Sequence, residues 1–353
     1  MQKVIAKVNL TALQNNAKAF KDLTKTRLFA VVKANAYGHG AETVTACLSH
    51  IADGFAVALI DEAIAIRAAA CGKEILVFTP PLNEEEVYAL AVNGFTATVP
   101  DLWTAKLIAS VCQTHRLRLC VHLKVNTGMN RYGMHLSMLG KVCKFLQNQP
   151  FIEVGGVYSH LYTCTSEVAK VQRALFIQAE RIVKRRYSNA IAHLSATYGS
   201  LLGTEFAFDG VRIGLGLYGY LPTELAESEK SIADSLQLQR ALTVETKVTA
   251  TRKASYGGAG YGAPCMDKIE NLSVLRVGYA DGFLRDKRGG LLCEKDKSQA
   301  LCMDACIVNG RQKRGKKITV LSDADKQATA ADTISYEVLC AATRRAEFRY
   351  EYE

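Results

Sequence analysis

The chain has 353 residues, enough for two domains or for one large barrel with an addition. With 49% hydrophobic and 22% charged residues it reads as globular, which excludes an intrinsically disordered chain. Its 44 Lys and Arg against 34 Asp and Glu leave a net charge of +10, an invitation to an anionic partner.

Over the first two-thirds, short apolar runs alternate with amphipathic helical stretches. The runs fall at Phe29–Val32, Gly54–Ile60, Glu74–Phe78, Thr96–Val99, Leu119–Val125, Val154–Ser159, Ala190–Leu194 and Val211–Leu217. Helical patterns lie between them at Asp61–Cys71, Asn83–Asn93, Asp101–Thr114 and Glu167–Arg186, with Asp61, Asn83 and Asp101 as candidate N-caps. Near-continuous apolar runs are what strands covered on both faces require. Eight of them alternating with helices predict an α/β fold, a (β/α)8 TIM barrel, over residues 1–235. The pattern changes after about residue 236. Leu242–Thr251 alternates in β fashion, and Leu272–Val277 and Ile318–Leu321 follow among glycine-rich turns, predicting a mainly β C-terminal domain over 236–353.

Eleven cysteines, an odd number scattered through apolar stretches, read as reduced thiols in the cytoplasm and not as a disulfide framework. Cys302 and Cys306 lack a histidine pair at ligand spacing, so no metal is expected. The first ten residues are too polar for a signal peptide, and no run of about 18 apolar residues predicts a span within this chain. The densest basic run, Arg311 to Lys317, sits beside Gly310 and Gly315 and reads as a solvated loop, so nucleic acid is not an expected partner. A small phosphorylated or carboxylated ligand is a simpler use of the positive field.

The segment AVVKANAYGHG, Ala30–Gly40, is the sharpest chemical signal. An apolar strand runs directly into Lys33, which places that amine at the C-terminal mouth of a barrel, where barrel enzymes keep their sites. Apolar neighbours favour its neutral form, which can attack an aldehyde or act as a base. Other strand ends contribute KVNTGMNRYG (Lys124–Gly133), Ser159-His160, HLSATYGS (His193–Ser200) and VRIGLGLYG (Val211–Gly219). One rim thus collects Lys33, Lys124, Arg131, Arg212 and several hydroxyls. Gly214, Gly216 and Gly219 spell GxGxxG, but Tyr220-Leu221-Pro222 follows where a dinucleotide fold needs a helix. The glycines fit better a close approach of backbone amides to phosphate. Gly258, Gly260 and Gly262 lack a P-loop ending and read as a turn.

AVVKANAYGHG, KVNTGMNRYG, VRIGLGLYG, SYGGAGYGAP, GYADGFLR, CMD and SYEV occur in that order across nearly the whole chain. Together they resemble the bacterial alanine racemases, fold-type III enzymes of pyridoxal 5'-phosphate (PLP). The resemblance implies a PLP-dependent racemase that interconverts L- and D-alanine and supplies D-alanine for peptidoglycan. It implies that Lys33 holds PLP as a Schiff base, that Arg212 faces the pyridine nitrogen with His160 beside the ring, and that Tyr37, Thr197, Tyr336 and the amides of Gly214 and Leu215 serve the phosphate. Lys33 and Tyr256 would be the two bases, one on each face of the α-carbon. Arg131 and Met303 would take the substrate carboxylate, Lys124 is a carbamylation candidate, and Tyr279 and Arg285 would line the entrance. It further implies a homodimer with active sites shared between subunits, Tyr256, Tyr279 and Met303 acting in trans. The sequence departs from the family at Ala196-Thr197, where Asn-Ser is common, and at HLYTCT (160–165), whose Thr163 and Thr165 bear on substrate entry. A serine or broad-specificity racemase of the same fold, a PLP-dependent decarboxylase and a PLP carrier are the alternative readings. Arg212 speaks against the decarboxylase, and the C-terminal domain with a second base speaks against the carrier.

Overall fold

The computed structural model describes residues 4–352, apart from 164, 223, 255, 262–269, 286–289 and 291–297. Gly262 and most of the stretch between Arg285 and Met303 lie outside the described residues. The chain divides into two compact units: residues 13–34 with 41–239, and residues 1–12, 35–40 and 240–353.

The first unit is a ring of eight parallel strands. They are β2 (Arg27–Val31), β3 (Gly54–Val57), β4 (Glu74–Val77), β5 (Thr96–Val99), β6 (Leu119–Lys124), β7 (Ile152–Tyr158), β8 (Ile191–His193) and β9 (Gly210–Ile213). The hydrogen-bonded order is β8-β7-β6-β5-β4-β3-β2-β9. Backbone bonds from Asp209 to Ala192 and from Arg212 to Ser195, both 2.9 Å, join the two ends. This is the (β/α)8 architecture that the alternation predicts. Strands β3 and β5 are buried at every position, as strands between a barrel interior and a helical shell must be.

Helices α1 (Leu10–Thr24), α3 (Ala41–Leu48), α4 (Ile60–Ile66), α5 (Glu84–Val92), α6 (Leu102–His115), α7 (Leu136–Leu146), α8 (Ser166–Lys184) and α9 (Glu227–Ser235) accompany the strands; α2 (Lys33–Gly38) is the turn that opens on Lys33. Asn83 and Asp101 cap their helices, each side chain accepting the amide three residues on at 2.8 Å. Asp61 does not cap. It lies inside α4, and Glu62 reaches back instead, its Oε2 accepting the amides of Ala58 (2.8 Å) and Leu59 (3.1 Å). That reversal ends β3 at Val57, three residues before the end of the predicted run.

The second unit is built on a seven-stranded sheet ordered β12-β13-β11-β10-β1-β15, with β14 on the other side of β10. Its strands are β1 (Ile5–Asn9), β10 (Leu242–Ala254), β11 (Glu270–Leu275), β12 (Ser298–Leu301), β13 (Cys306–Asn309), β14 (Lys317–Leu321) and β15 (Glu347–Glu351), with helices α10 (Ala324–Ala331) and α11 (Ser335–Ala342). One point departs from a division at residue 235. Strand β1 runs antiparallel to β10 and parallel to β15, so the first residues of the chain are part of the β sheet and not of the barrel. The described cysteines are all free thiols.

Candidate active site

Lys33 opens the turn α2 (Lys33–Gly38), and this turn is left-handed: Ala34, Asn35, Ala36 and Tyr37 all have φ between 52° and 54°. For L-residues that conformation costs about 1–2 kcal/mol each. Several contacts hold it. The amide of Ala34 donates to Glu62 Oε1 at 2.6 Å, so one glutamate fixes the chain beyond both β2 and β3. Buried His39 directs Nδ1 at the carbonyls of Ala36 (3.0 Å) and Tyr37 (2.9 Å). Burial lowers its pKa to about 4, so the ring is neutral and Nδ1 carries the proton it donates. Gly38, at φ 79°, has no room for a side chain, because a Cβ there would lie 2.2 Å from the Leu339 carbonyl oxygen.

Inside the barrel the period-2 alternation brings Phe29, His122, Lys124, Tyr158, His193 and Arg212 into contact. Arg212 is 2% exposed. Its Nη1 donates to the His193 carbonyl (2.8 Å) and lies 2.9 Å from His193 Nδ1. Its Nη2 donates to the carbonyls of Ser159 (2.6 Å) and Leu194 (2.9 Å) and lies 3.2 Å from His160 Nδ1. The ends of β7 and β8 therefore fix one guanidinium carried by β9. Burial draws its pKa down to about 10, which still leaves it charged at neutral pH. An arginine can only donate, so His193 Nδ1 must accept and its proton must be on Nε2. That Nε2 lies 3.0 Å from His122 Nδ1, which must also accept. The proton of His122 is then on Nε2, 3.2 Å from Glu74 Oε1. Burial, above all, holds both histidines below their usual pKa, so both are neutral. The His193 ring stacks on Tyr158 (centroids 5.0 Å) and Phe29 (5.5 Å).

Toward the ends of strands β6 to β9 this core meets cations. Lys124 is buried, its Nζ 4.3 Å from the Tyr158 ring centre. Burial, then Arg212 and Arg131, hold its pKa well below that of a free lysine. Partly buried His160 is likewise pushed down by burial and then by Arg212, Lys124, Arg131 and Lys33, with no carboxylate opposing them. The Tyr158 phenol, bonded to Thr98 at 2.7 Å, is pushed up to about 12 by burial. Thr197 Oγ1 accepts the amide of Gly216 at 3.1 Å, beside the 3-10 turn Leu215–Tyr218 that begins immediately after Gly214. Gln172 on α8 donates to Thr127 (3.0 Å) and to the His160 carbonyl (3.1 Å), tying the loops after β6 and β7 together.

In the β unit, Tyr37 and Tyr336 sit together with ring centres 5.9 Å apart. Burial, then Tyr336 and Cys340, raise the Tyr37 phenol well above its usual range, so it stays protonated. Tyr279 and Met303 are joined through the backbone: Tyr279 donates to the Cys302 carbonyl and Ala280 to that of Met303, both at 3.0 Å. Tyr256 is 90% exposed.

Two family profiles fit this chain. "Alanine racemase, N-terminal domain" matches residues 8–222 and "Alanine racemase, C-terminal domain" residues 241–350. The chain belongs to the alanine racemase family. It is therefore an isomerase of the racemase type. An alanine racemase of Prochlorococcus marinus is 30% identical, over 96% of this chain and 94% of its own. One from Streptococcus equi subsp. zooepidemicus is 31% identical, with 98% of each chain covered. Among solved structures, the alanine racemase of Clostridium difficile superposes with a TM-score of 0.90 at 26% identity, over 99% of this chain and 96% of that one. The Bacillus anthracis enzyme with bound L-Ala-P gives 0.89 at 25%, over 99% and 95%.

Of the residues that the alanine racemase resemblance singles out, Lys33, Lys124, Arg131, His160 and Arg212 act electrostatically on one another in the barrel, and Thr197 bonds the turn that follows Gly214 and Leu215. Tyr37 meets Tyr336, and Tyr279 meets Met303, while Tyr256 stands apart on its loop. Sequence reasoning missed His193 as the principal side-chain partner of Arg212, and it missed His122, Glu74 and Gln172. His122 and His193 occupy inward positions of predicted strands, so a polar residue in a barrel lumen was the available signal.

Proposed function

We propose that this chain is a PLP-dependent alanine racemase in which Lys33 and Tyr256 are the two bases. The observation that carries the reading is the guanidinium of Arg212, buried, charged and held by five polar contacts from two strand ends, with the cations Lys124 and Arg131 acting beside it. Such a site suits a ligand with a phosphate dianion and a ring nitrogen that must stay unprotonated, and PLP is such a ligand. Lys33 would anchor it through its amine, Arg212 would face the ring nitrogen, and Tyr37, Tyr336, Thr197 and the amides of Gly214 and Leu215 would hold the phosphate. Bound there, PLP draws electrons from the α-carbon and acidifies its C–H bond.

The protein's own part is proton handling and orientation. Arg131 would hold the substrate carboxylate, helped by the amide of Met303. Lys33 Nζ would exchange a proton with one face of the α-carbon and Tyr256 Oη with the other. His160 and His193 would hold the Arg212 guanidinium in place. Lys124, a buried amine among cations, would gain from becoming an anion, which supports carbamylation there. The 90% exposure of Tyr256 and 54% exposure of Met303 support a homodimer in which a second subunit meets these residues. Free thiols support work in a reducing cytoplasm, where the D-alanine formed would serve peptidoglycan.

The test is exchange of the α-hydrogen in deuterated water over a panel of L-amino acids, with D-alanine followed directly. Alanine is expected to lead, ahead of serine and lysine. Tyr256→Phe is expected to keep PLP and to lose exchange from L-alanine. Racemisation by that variant at the wild-type rate would overturn the two-base assignment.

A further inference from the structure

The net charge of +10 is not spread over the chain. Nine cations gather on one region of the β unit: Lys247, Arg252 and Lys253 on β10, Arg276 just after β11, and the five basic residues of 311–317. Removing these nine from the 44 Lys and Arg leaves 35, against 34 Asp and Glu, so the rest of the chain is close to neutral.

Backbone bonds hold the group together. Gly315 donates to the Val248 carbonyl (2.8 Å), Val248 to that of Lys316 (3.0 Å) and Arg276 to that of Lys247 (3.1 Å), while Thr251 Oγ1 donates to the Gln312 carbonyl (2.6 Å). Residues 246–253, 271–277 and 305–317 contain no carboxylate. Glu245, the next acid along β10, is taken by Lys7 at 2.8 Å. None of the nine cations pairs with a described carboxylate, and Lys316 finds only the Gln312 amide oxygen, at 2.7 Å. Eight of the nine are exposed. Lys247 and Lys317 are direct register partners on antiparallel strands, a like-charge pairing that weakens a sheet. The fold tolerates this repulsion where a single acidic residue would relieve it.

We propose that this basic region of the β unit docks on an anionic lipid bilayer. The patch has charge density without the means to read bases: its three segments contain no aromatic ring or histidine, whereas single-stranded nucleic acid binding relies on stacking. A membrane surface needs only the charge, at about 1 kcal/mol, or roughly fivefold in partition, for each basic residue that reaches it.

The test uses the full chain loaded with PLP and two sets of large vesicles, phosphatidylcholine alone and phosphatidylcholine with phosphatidylglycerol. Co-sedimentation is expected only with the anionic set and is expected to fall steeply as salt shortens the screening length. Combined replacement of Lys313, Arg314, Lys316 and Lys317 by Gln should weaken partition by on the order of several hundredfold. A variant that exchanges Lys and Arg at the same four positions should bind like the parent. Both should keep the parent's racemisation rate, since these residues lie outside the catalytic set. Absence of sedimentation with anionic vesicles at low salt would overturn the proposal. So would tighter binding to a DNA duplex than to the vesicles, or undiminished partition of the Gln variant.

Discussion

Replacing His122 by Leu tests the donor chain inside the barrel. The ring is 1% exposed, and its Nδ1 is the acceptor for His193 Nε2, 3.0 Å away. Leucine removes that acceptor and leaves the His193 N–H buried without a partner, a loss of about 1–3 kcal/mol. His193 cannot escape by moving its proton to Nδ1, because Nδ1 would then face a guanidinium donor at 2.9 Å. Filling the ring's space imperfectly adds about 1 kcal/mol, so the total is about 2–4 kcal/mol. Urea unfolding at pH 7.5 measures it. A double-mutant cycle with His193→Phe isolates the bond, since phenylalanine keeps the stack on Tyr158 and Phe29 but has no N–H to strand. His122→Leu should then cost less in the His193→Phe background, with a coupling of about 1–3 kcal/mol. Additivity within about 0.5 kcal/mol would show that the two rings merely fill space and would refute the chain.

Acid should weaken the protein before most carboxylates titrate. His39 has a folded pKa of about 4 against about 6.5 unfolded, so its contribution is complete above pH 6.5 and is lost as pH falls toward 4. The loss is up to about 3 kcal/mol, visible as a falling urea midpoint over that window, and His39→Gln should flatten the profile. Gly38→Ala and Gly72→Ala separate a clash from a backbone preference. Both glycines have φ near 77° (79° and 76°), but a Cβ at Gly72 meets open space and one at Gly38 meets the Leu339 carbonyl at 2.2 Å. Gly72→Ala should cost about 1 kcal/mol, and Gly38→Ala at least 3 kcal/mol or soluble expression itself; equal thermal stability of the two variants would refute the distinction.

Barrel strands were legible because each is apolar nearly throughout, and β4, β5 and β9 fall within a residue or two of their predicted starts. Their ends were less so. The run predicted to Ile60 stops at Val57 because a glutamate side chain, invisible to periodicity, turns the backbone. The run predicted to Leu217 becomes a 3-10 turn after Gly214. Strand β1 belongs to the sheet through β10 and β15, both more than 230 residues away, and no local pattern carries those pairings. At the site, Lys33 and Lys124 stood out because charged residues near the ends of apolar strands are conspicuous, and Arg212 because it lies inside one, in the VRIGLGLYG motif. Glu74 sat at the other end of its strand with nothing to mark it. The basic turn at 311–317 was visible as a run, but its neighbours on β10 and β11 come from distant sequence.

The left-handed turn after Lys33 has a consequence for assembly of the protein. A mirror-image turn of four L-residues is disfavoured in a free chain by about 4–8 kcal/mol, so it cannot nucleate folding. It can form only once Glu62, His39 and the surroundings of Gly38 are in place to impose it. The amine of Lys33 therefore acquires its native setting late, after the scaffold is complete. Partly folded chains would carry the lysine without its geometry.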